Sequence, residues 1–424
     1  MTLESVWKAD AVSDSQNVQQ STSIEQGIGD RYARKAVVAS SVGYAMDGFD
    51  LLIIGFALAS ITATFGLSEQ QAGSLATYTL VGAVVGGIVF GMLSDRLGRV
   101  KVLTWSILVF ALFTGLTAVA WDYTSLSVFR FLAGIGLGGE FGIGMTLAAE
   151  AWPARKRARA TAWVANGWQV GTLLATGAAA LLLPLGGWRL LFAVGAFPAV
   201  VAYLLRRQLE EPLKFIETQQ TRGVAKFPVK ALVADARSVR TSIGVLILAS
   251  VQNFGYYGIM IWLPTYLSRE LDYSYNKSAL WTAVTVAGMI IGVFIFGKLA
   301  DTIGRRPSFL IWQIGALISV VVYANLGSSW ALLAGGLVMG LFVNGMMGGY
   351  GALMAELYPT EARATAQNVL WNLGRAVAGF APLVVAALAA SYGFAFAIGA
   401  IACIYVVDMF ALLLIPERKG AELT

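Results

Sequence analysis

Asp47, Asp50, Arg130, Glu140, Arg375 and Asp408 are ionisable residues set inside apolar runs long enough to cross a bilayer. A charge at the centre of such a run costs about 2.5 to 3.5 kcal/mol on insertion scales, so each of them needs a partner or a task. Asp47 and Asp50 are three residues apart and lie one above the other on nearly the same helix face. Two acids crowded together out of water are suited to take up and release a proton; the plainer reading has them hydrogen-bonding a neighbouring helix. The chain contains no histidine, so a proton relay must use carboxylates. Arg375 offers a planar fork that matches a carboxylate bidentately, and an inward-facing arginine at this depth predicts an anionic ligand. A permanent salt bridge to Asp47 or Glu140 is the competing reading, and both hold if the bridge opens when the anion arrives. Glu140 reads either as a proton-coupling acid or as one partner of a structural ion pair, and Asp408, low in the last run, as structural.

Counting a rise of about 1.5 Å per residue places Asp47, Glu140 and Arg375 at one level, roughly 15 Å deep. Arg130 lies nearer the outer surface. Around that level the sequence sets Gln252, Asn253, Tyr256, Tyr257, Asn344, Trp168, Gln169, Trp371 and Asn372. Amides and phenols orient a polar ligand and rings cover an apolar or aromatic body, although each of these also reads as helix packing.

The elements that carry these residues follow from composition. The chain is 57% hydrophobic and 13% charged, with a mean hydropathy of +0.70, where soluble chains carry roughly a quarter charged residues. Apolar runs predict twelve spans over 36–64, 72–93, 101–120, 124–149, 161–183, 189–207, 241–268, 276–298, 308–325, 329–354, 365–388 and 392–415. The expected class is therefore an all-α integral membrane protein, with six-helix halves over 31–207 and 241–415. A disordered tail is expected over 1–30, a basic linker over 208–240 and a second tail over 416–424. Of the 30 Lys and Arg, Arg189, Arg269 and Lys277 fall on one side and Arg130 and Arg375 inside helices. All the others lie on the side of the amino terminus, so the positive-inside rule predicts both termini in the cytoplasm of a multi-pass plasma membrane protein. That placement explains the net charge of +6 without nucleic acid. The single cysteine, Cys403, leaves no intrachain disulfide, and Gly-rich stretches at 82–91 and 134–144 mark close helix packing.

The halves repeat. Gly91-Met-Leu-Ser-Asp-Arg-Leu-Gly-Arg99 recurs as Gly297-Lys-Leu-Ala-Asp-Thr-Ile-Gly-Arg305, and Glu150-Ala-Trp-Pro faces Glu356-Leu-Tyr-Pro, both at an offset of 206 residues. Such parallel repeats place a transport site at their interface. Asp95, Arg96 and Arg99, at the end of the second span, are suited to hold a cytoplasmic gate through charge pairs and helix-end contacts. Glu150 with Arg157 and Glu356 with Arg363 are further expected latches.

These loops, together with Arg130-Phe-Leu-Ala-Gly-Ile-Gly-Leu-Gly-Gly139, resemble the major facilitator superfamily over residues 31 to 415. Asp47-Gly-Phe-Asp50 resembles the signature of proton symporters for aromatic acids. The Tyr-Pro-Thr-Glu-x-Arg loop followed by Asn372-Leu-Gly-Arg375 is similar to the sialate and lactate group, although the histidine of the lactate branch is missing. The resemblance implies a proton-transfer role for Arg130 and a gating role for Asp301, Arg305 and Arg306, where Thr302 replaces the usual arginine. The expected function is a monomeric, proton-driven symporter importing a small organic anion, with no metal, no cofactor and no enzymatic activity. An exporter of drugs or metabolites is the first alternative. The fifth span lacks the Gly-Pro element that such antiporters share, and a nutrient sensor of the same fold is the second alternative.

Overall fold

The computed structural model describes residues 3–207, 209–222, 228–263, 266–267 and 275–423. Arg269, named above, lies outside them. The first half consists of α1 (Leu3–Phe65), α2 (Glu69–Leu97), α3 (Arg99–Thr117), α4 (Tyr123–Gly138), α5 (Glu140–Ala151), α6 (Arg157–Gly195) and α7 (Pro198–Arg206). A short α8 (Leu213–Arg222) follows in the linker. The second half consists of α9 (Ala236–Met260), α10 (Tyr275–Ile303), α11 (Arg305–Ala324), α12 (Ser329–Gly345), α13 (Met347–Leu357), α14 (Arg363–Ala378), α15 (Ala381–Tyr392), α16 (Phe394–Ile401) and α17 (Cys403–Ala411). Among the described residues, 11 helical stretches are long and apolar enough to cross a membrane. The twelfth crossing is fused into one of them. Ala154–Gly195 has 42 residues, about twice what a bilayer requires, and its helix breaks at Gly186 and Gly187, the latter at φ +64°. The expected fifth and sixth spans meet at that break.

The backbone of α1 is helical from Leu3, well before the first expected span at residue 36. Residues 3–26 contain neither glycine nor proline, so nothing in that stretch interrupts a helix. Chain entries at the loops use side-chain caps: Ser68 accepts from the Gln71 N–H, and Asp122 from the Ser125 N–H at 2.7 Å. The Ser125 N–H and hydroxyl beside Asp122 hold its carboxyl below the usual carboxylate range.

Small residues let the helices touch backbone to backbone. A Cβ on Gly138 would overlap the carbonyl oxygen of Ala83, so α4 can lie against α2 only without one. The same logic serves a charge pair. Glu140 accepts from Arg206 Nη2 at 2.7 Å and from the Ser106 hydroxyl at 2.7 Å, fully inside the first half. Gly43 of α1 faces this pair so closely that a Cβ would collide with both side chains.

One end of the bundle, the end that carries the basic loops, ties the halves together. Asp95 accepts the backbone N–H groups of Ala364 at 3.2 Å and Thr365 at 2.8 Å, capping the start of α14 from the other half. Asp301 does the same for Ala158 at 3.0 Å and Arg159 at 3.2 Å at the start of α6. Donors and acceptors are both displaced by 206 residues, so the two caps are copies. The glutamates cross the seam, which corrects the local latches expected from the sequence. Glu150 binds Arg363 at 2.6 Å and Arg99 at 3.3 Å, while Glu356 binds Arg157 at 2.8 Å and Arg305 at 2.7 Å. Each glutamate lies between its own half's loop arginine and the arginine that opens the opposite helix, and proximity in sequence does not decide between them.

Glu211 and Glu417, again 206 apart, cap the loop ends of α3 and α11, taking the N–H groups of Arg99 at 2.6 Å and Arg306 at 2.7 Å. The linker is therefore more than a tether: Gln219 of α8 also donates to the Arg96 carbonyl at 2.7 Å. The last described residues lie across the same seam. Arg157 donates to the Ala421 carbonyl at 3.1 Å, and Leu423 is buried between Ala149 and Ala355, one from each half.

Two outcomes follow for purified protein. Gly43→Val, by splitting the Glu140–Arg206 pair, lowers unfolding stability by about 3 to 5 kcal/mol, whereas Gly55→Ala, with open space around it, is neutral or stabilising by about 0.4 to 1 kcal/mol. A double-mutant cycle gives a coupling of about 0.5 to 3 kcal/mol between Glu150 and Arg363, and a smaller one between Glu150 and Arg157. Equal couplings would remove the crossed latch.

Candidate functional site

Midway along the bundle, where the halves meet, Tyr44, Trp168, Gln252, Asn253, Tyr256, Tyr257, Asn344, Met347, Trp371 and Arg375 line a small cavity. Its walls are aromatic and come from both halves. Tyr44 and Trp168 approach at 5.5 Å between centroids, and Trp168 meets Tyr256 edge-on at 6.2 Å. The indole N–H of Trp168 donates to the Tyr256 hydroxyl at 3.0 Å, which holds both rings in place. Trp371 stacks on Phe141 at 4.2 Å with the planes 19° apart. The amide of Gln252 donates to Asn344 Oδ1 at 3.1 Å, fixing which way its carbonyl faces.

Arg375 is the charged member of the lining. Its guanidinium sits 5.3 Å from the Trp168 ring and donates through Nη2 to Asp47 Oδ2 at 3.0 Å. Asp47 belongs to the first half and Arg375 to the second, so this fully buried pair spans the interface. Removing one member's charge from a buried pair leaves an uncompensated charge and is costly, whereas putting another anion in the place of the first keeps the charge balanced. The geometry can therefore exchange one anion for another on Arg375.

Asp50 lies one helical turn along α1 but turns into its own half. It forms a bidentate pair with Arg130, which also donates to the Thr79 hydroxyl at 3.1 Å, while Thr114 donates to Asp50 at 3.1 Å. The two aspartates thus hold different arginines, one across the interface and one within the first half. Glu140, placed by depth beside Asp47 and Arg375, sits in the separate cluster with Arg206 and Ser106. Depth fixes the level of a residue along a helix but not the side it faces. Arg206, fully buried, is a third intramembrane arginine that reads from sequence as part of the basic loop because it closes the sixth span.

Two expected lining residues are turned elsewhere. Asn372 donates to the carbonyls of Gly138 at 3.0 Å and Asn368 at 2.9 Å, holding α14 against α4. Gln169 is buried and outside the cavity lining. Two residues line the cavity without having been expected there. Tyr44 lies three residues before Asp47 on the same face of α1, a spacing that could have identified it. Met347 carries no sequence signal beyond an apolar side chain. Asp408 accepts from Gln313 at 2.8 Å and forms no salt bridge among the described residues. Cys403 is exposed on the outer surface of the bundle.

Comparison with known proteins places this architecture. The Major Facilitator Superfamily profile matches residues 40–284 and 245–424. A putative metabolite transport protein of Haemophilus influenzae is 58% identical, covering 92% of this chain and 98% of its own. The cis,cis-muconate transport protein of Acinetobacter baylyi is 32% identical, with coverage of 92% and 96%. A probable 4-methylmuconolactone transporter of Cupriavidus pinatubonensis is 31% identical, covering 91% of each chain. A proton:xylose symporter bound to 6-bromo-6-deoxy-D-glucose shares the fold, with a TM-score of 0.78, 18% identity and coverage of 93% and 98%. With its membrane-spanning helices, its symmetric halves and a cavity between them, the chain belongs to the major facilitator superfamily as a multi-pass membrane transporter and not an enzyme.

Proposed function

We propose that the chain is a proton-coupled symporter that brings a small organic anion into the cell by rocking its halves around the aromatic cavity. The observation that carries this reading is the buried Asp47–Arg375 pair joining the halves at the cavity wall. While Asp47 is ionised it satisfies the guanidinium. A proton on Asp47 removes that charge and leaves Arg375 free for a carboxylate, so proton and anion enter together and the buried charge stays balanced. Asp50 with Arg130 is the adjacent pair and ties α1 to α4.

The aromatic walls support an apolar or unsaturated body on the anion. Two relatives named for muconate and 4-methylmuconolactone transport support a small organic acid as cargo. The basic loops support an orientation with the tied end and both termini in the cytoplasm of a bacterial inner membrane. In that orientation the caps from Asp95 and Asp301 and the crossed glutamates close the cytoplasmic gate, and Arg99, Arg305 and Arg306 hold it shut.

In proteoliposomes, an imposed inward proton gradient should drive accumulation of whichever carboxylate raises the protein's thermal stability in a screen of aromatic, mono- and dicarboxylic acids. Asp47→Asn should abolish gradient-driven accumulation while exchange of labelled for unlabelled cargo continues. Accumulation indifferent to the gradient in the wild type would sink the coupling.

A further inference from the structure

The proposed carboxylate site leaves open how the anion is held and how much charge it carries. Two nitrogen donors on α14 bear on both questions. Arg375 Nε and Trp371 Nε1 are buried and have no hydrogen-bond acceptor. Both residues line the cavity, and the two are 2% and 1% exposed. Nearly all buried donors in proteins are paired, so two orphans four residues apart, on one face of one helix, point to a missing acceptor. The Trp371 ring is not free to find a partner elsewhere, because it is stacked on Phe141 and set edge-on to Tyr350 at 5.3 Å. Arg375 has already given Nη1 and Nη2 to Asp47, at 3.5 and 3.0 Å, which leaves its Nε edge for another ligand.

The remaining polar lining bears on the other end of the cargo. Gln252 uses its amide nitrogen on Asn344 and on the Val343 carbonyl, and its Oε1 is buried without a donor. Arg375 is the one cation among the described lining residues. A second carboxylate would thus meet an acceptor oxygen and no counter-charge. A neutral end that brings an N–H or O–H, or an apolar ring, would not.

We infer that Trp371 Nε1 and Arg375 Nε together hold the carboxylate of a singly charged unsaturated or aromatic acid, and that the lining, with one cation and the bare Gln252 Oε1, selects monoanions over dianions. The inference rests on the carboxylate-symport reading above and goes further in naming the donors and the charge of the cargo. Asp47, on the guanidinium's other edge, takes the accompanying proton and gives up the charge of Arg375 to that carboxylate.

The test is ligand binding by the full-length purified protein near neutral pH, with benzoate and nicotinate as monoanions and cis,cis-muconate and terephthalate as dianions. At least one monoanion should bind more tightly than both dianions. Trp371→Phe keeps the stacked ring and loses only the N–H. It should leave the melting temperature of the ligand-free protein unchanged and weaken monoanion binding about tenfold or more, the loss of one charge-assisted hydrogen bond. A dianion that binds as tightly as the best monoanion would overturn the inference and leave the carboxylate reading standing. So would unchanged affinity in Trp371→Phe, or a lower ligand-free melting temperature in that variant, which would mark the indole as structural. Binding of none of the four acids by the wild type would remove both.

Discussion

A bilayer supplies no water to a buried charge, and the arrangement of this chain follows from the way its acids are neutralised. Asp47, Asp50, Asp95, Glu140, Glu150, Asp301 and Glu356 are each held by an arginine, with side chains almost wholly shielded from solvent. These pairs are not interchangeable. The Glu140–Arg206 and Asp50–Arg130 pairs lie within one half and brace it. The Asp47–Arg375 pair and the crossed glutamates lie between halves, so each must open for the halves to move apart. Such pairs add little to net stability once desolvation is counted, but they are expensive to leave half-made. That property suits an element that must exchange its partner during a cycle.

The symmetry of the fold and the asymmetry of its charges divide the labour. At the tied end the repeat holds: aspartate caps, crossed glutamates and the capping acids Glu211 and Glu417 all recur at 206 residues. In the middle it fails. Asp47 maps onto Asn253 and Asp50 onto Tyr256, both of which line the cavity, while Glu140 maps onto Met346, Arg130 onto Gly336 and Arg375 onto Gln169. The positions of Asp47 and Asp50 thus carry an amide and a phenol in the second half. A gate needs two equal leaves, but a site for one anion needs one cation.

Much of this was legible in the sequence. Hydropathy gave the spans, and the constant offset gave the halves and pointed to the loops that meet. Which partners meet was not legible. Glu150 and Arg157 are neighbours in the chain, yet Glu150 reaches Arg363, because the start of α14 is brought against α2 by helix packing that no local spacing encodes. Counting residues from a helix end placed Glu140 at the level of Asp47 but could not tell that Gly43 lets Glu140 and Arg206 close behind α1. Asn372 was expected in the cavity for its chemistry, and its amide instead serves two carbonyls at the α4–α14 contact. Side-chain direction depends on the packing of neighbours, and only the assembled bundle fixes it.

The central claim is that an arriving anion and a proton rearrange the same pair of residues. Proton uptake on ligand binding tests it most directly, measured with a pH indicator in weakly buffered detergent solution of the purified protein. A carboxylate that binds should draw about one proton from solution in the wild type and none in Asp47→Asn, since a ligand that favours the protonated form must take up that proton by linkage. Tight carboxylate binding by the wild type with no proton uptake would contradict the account.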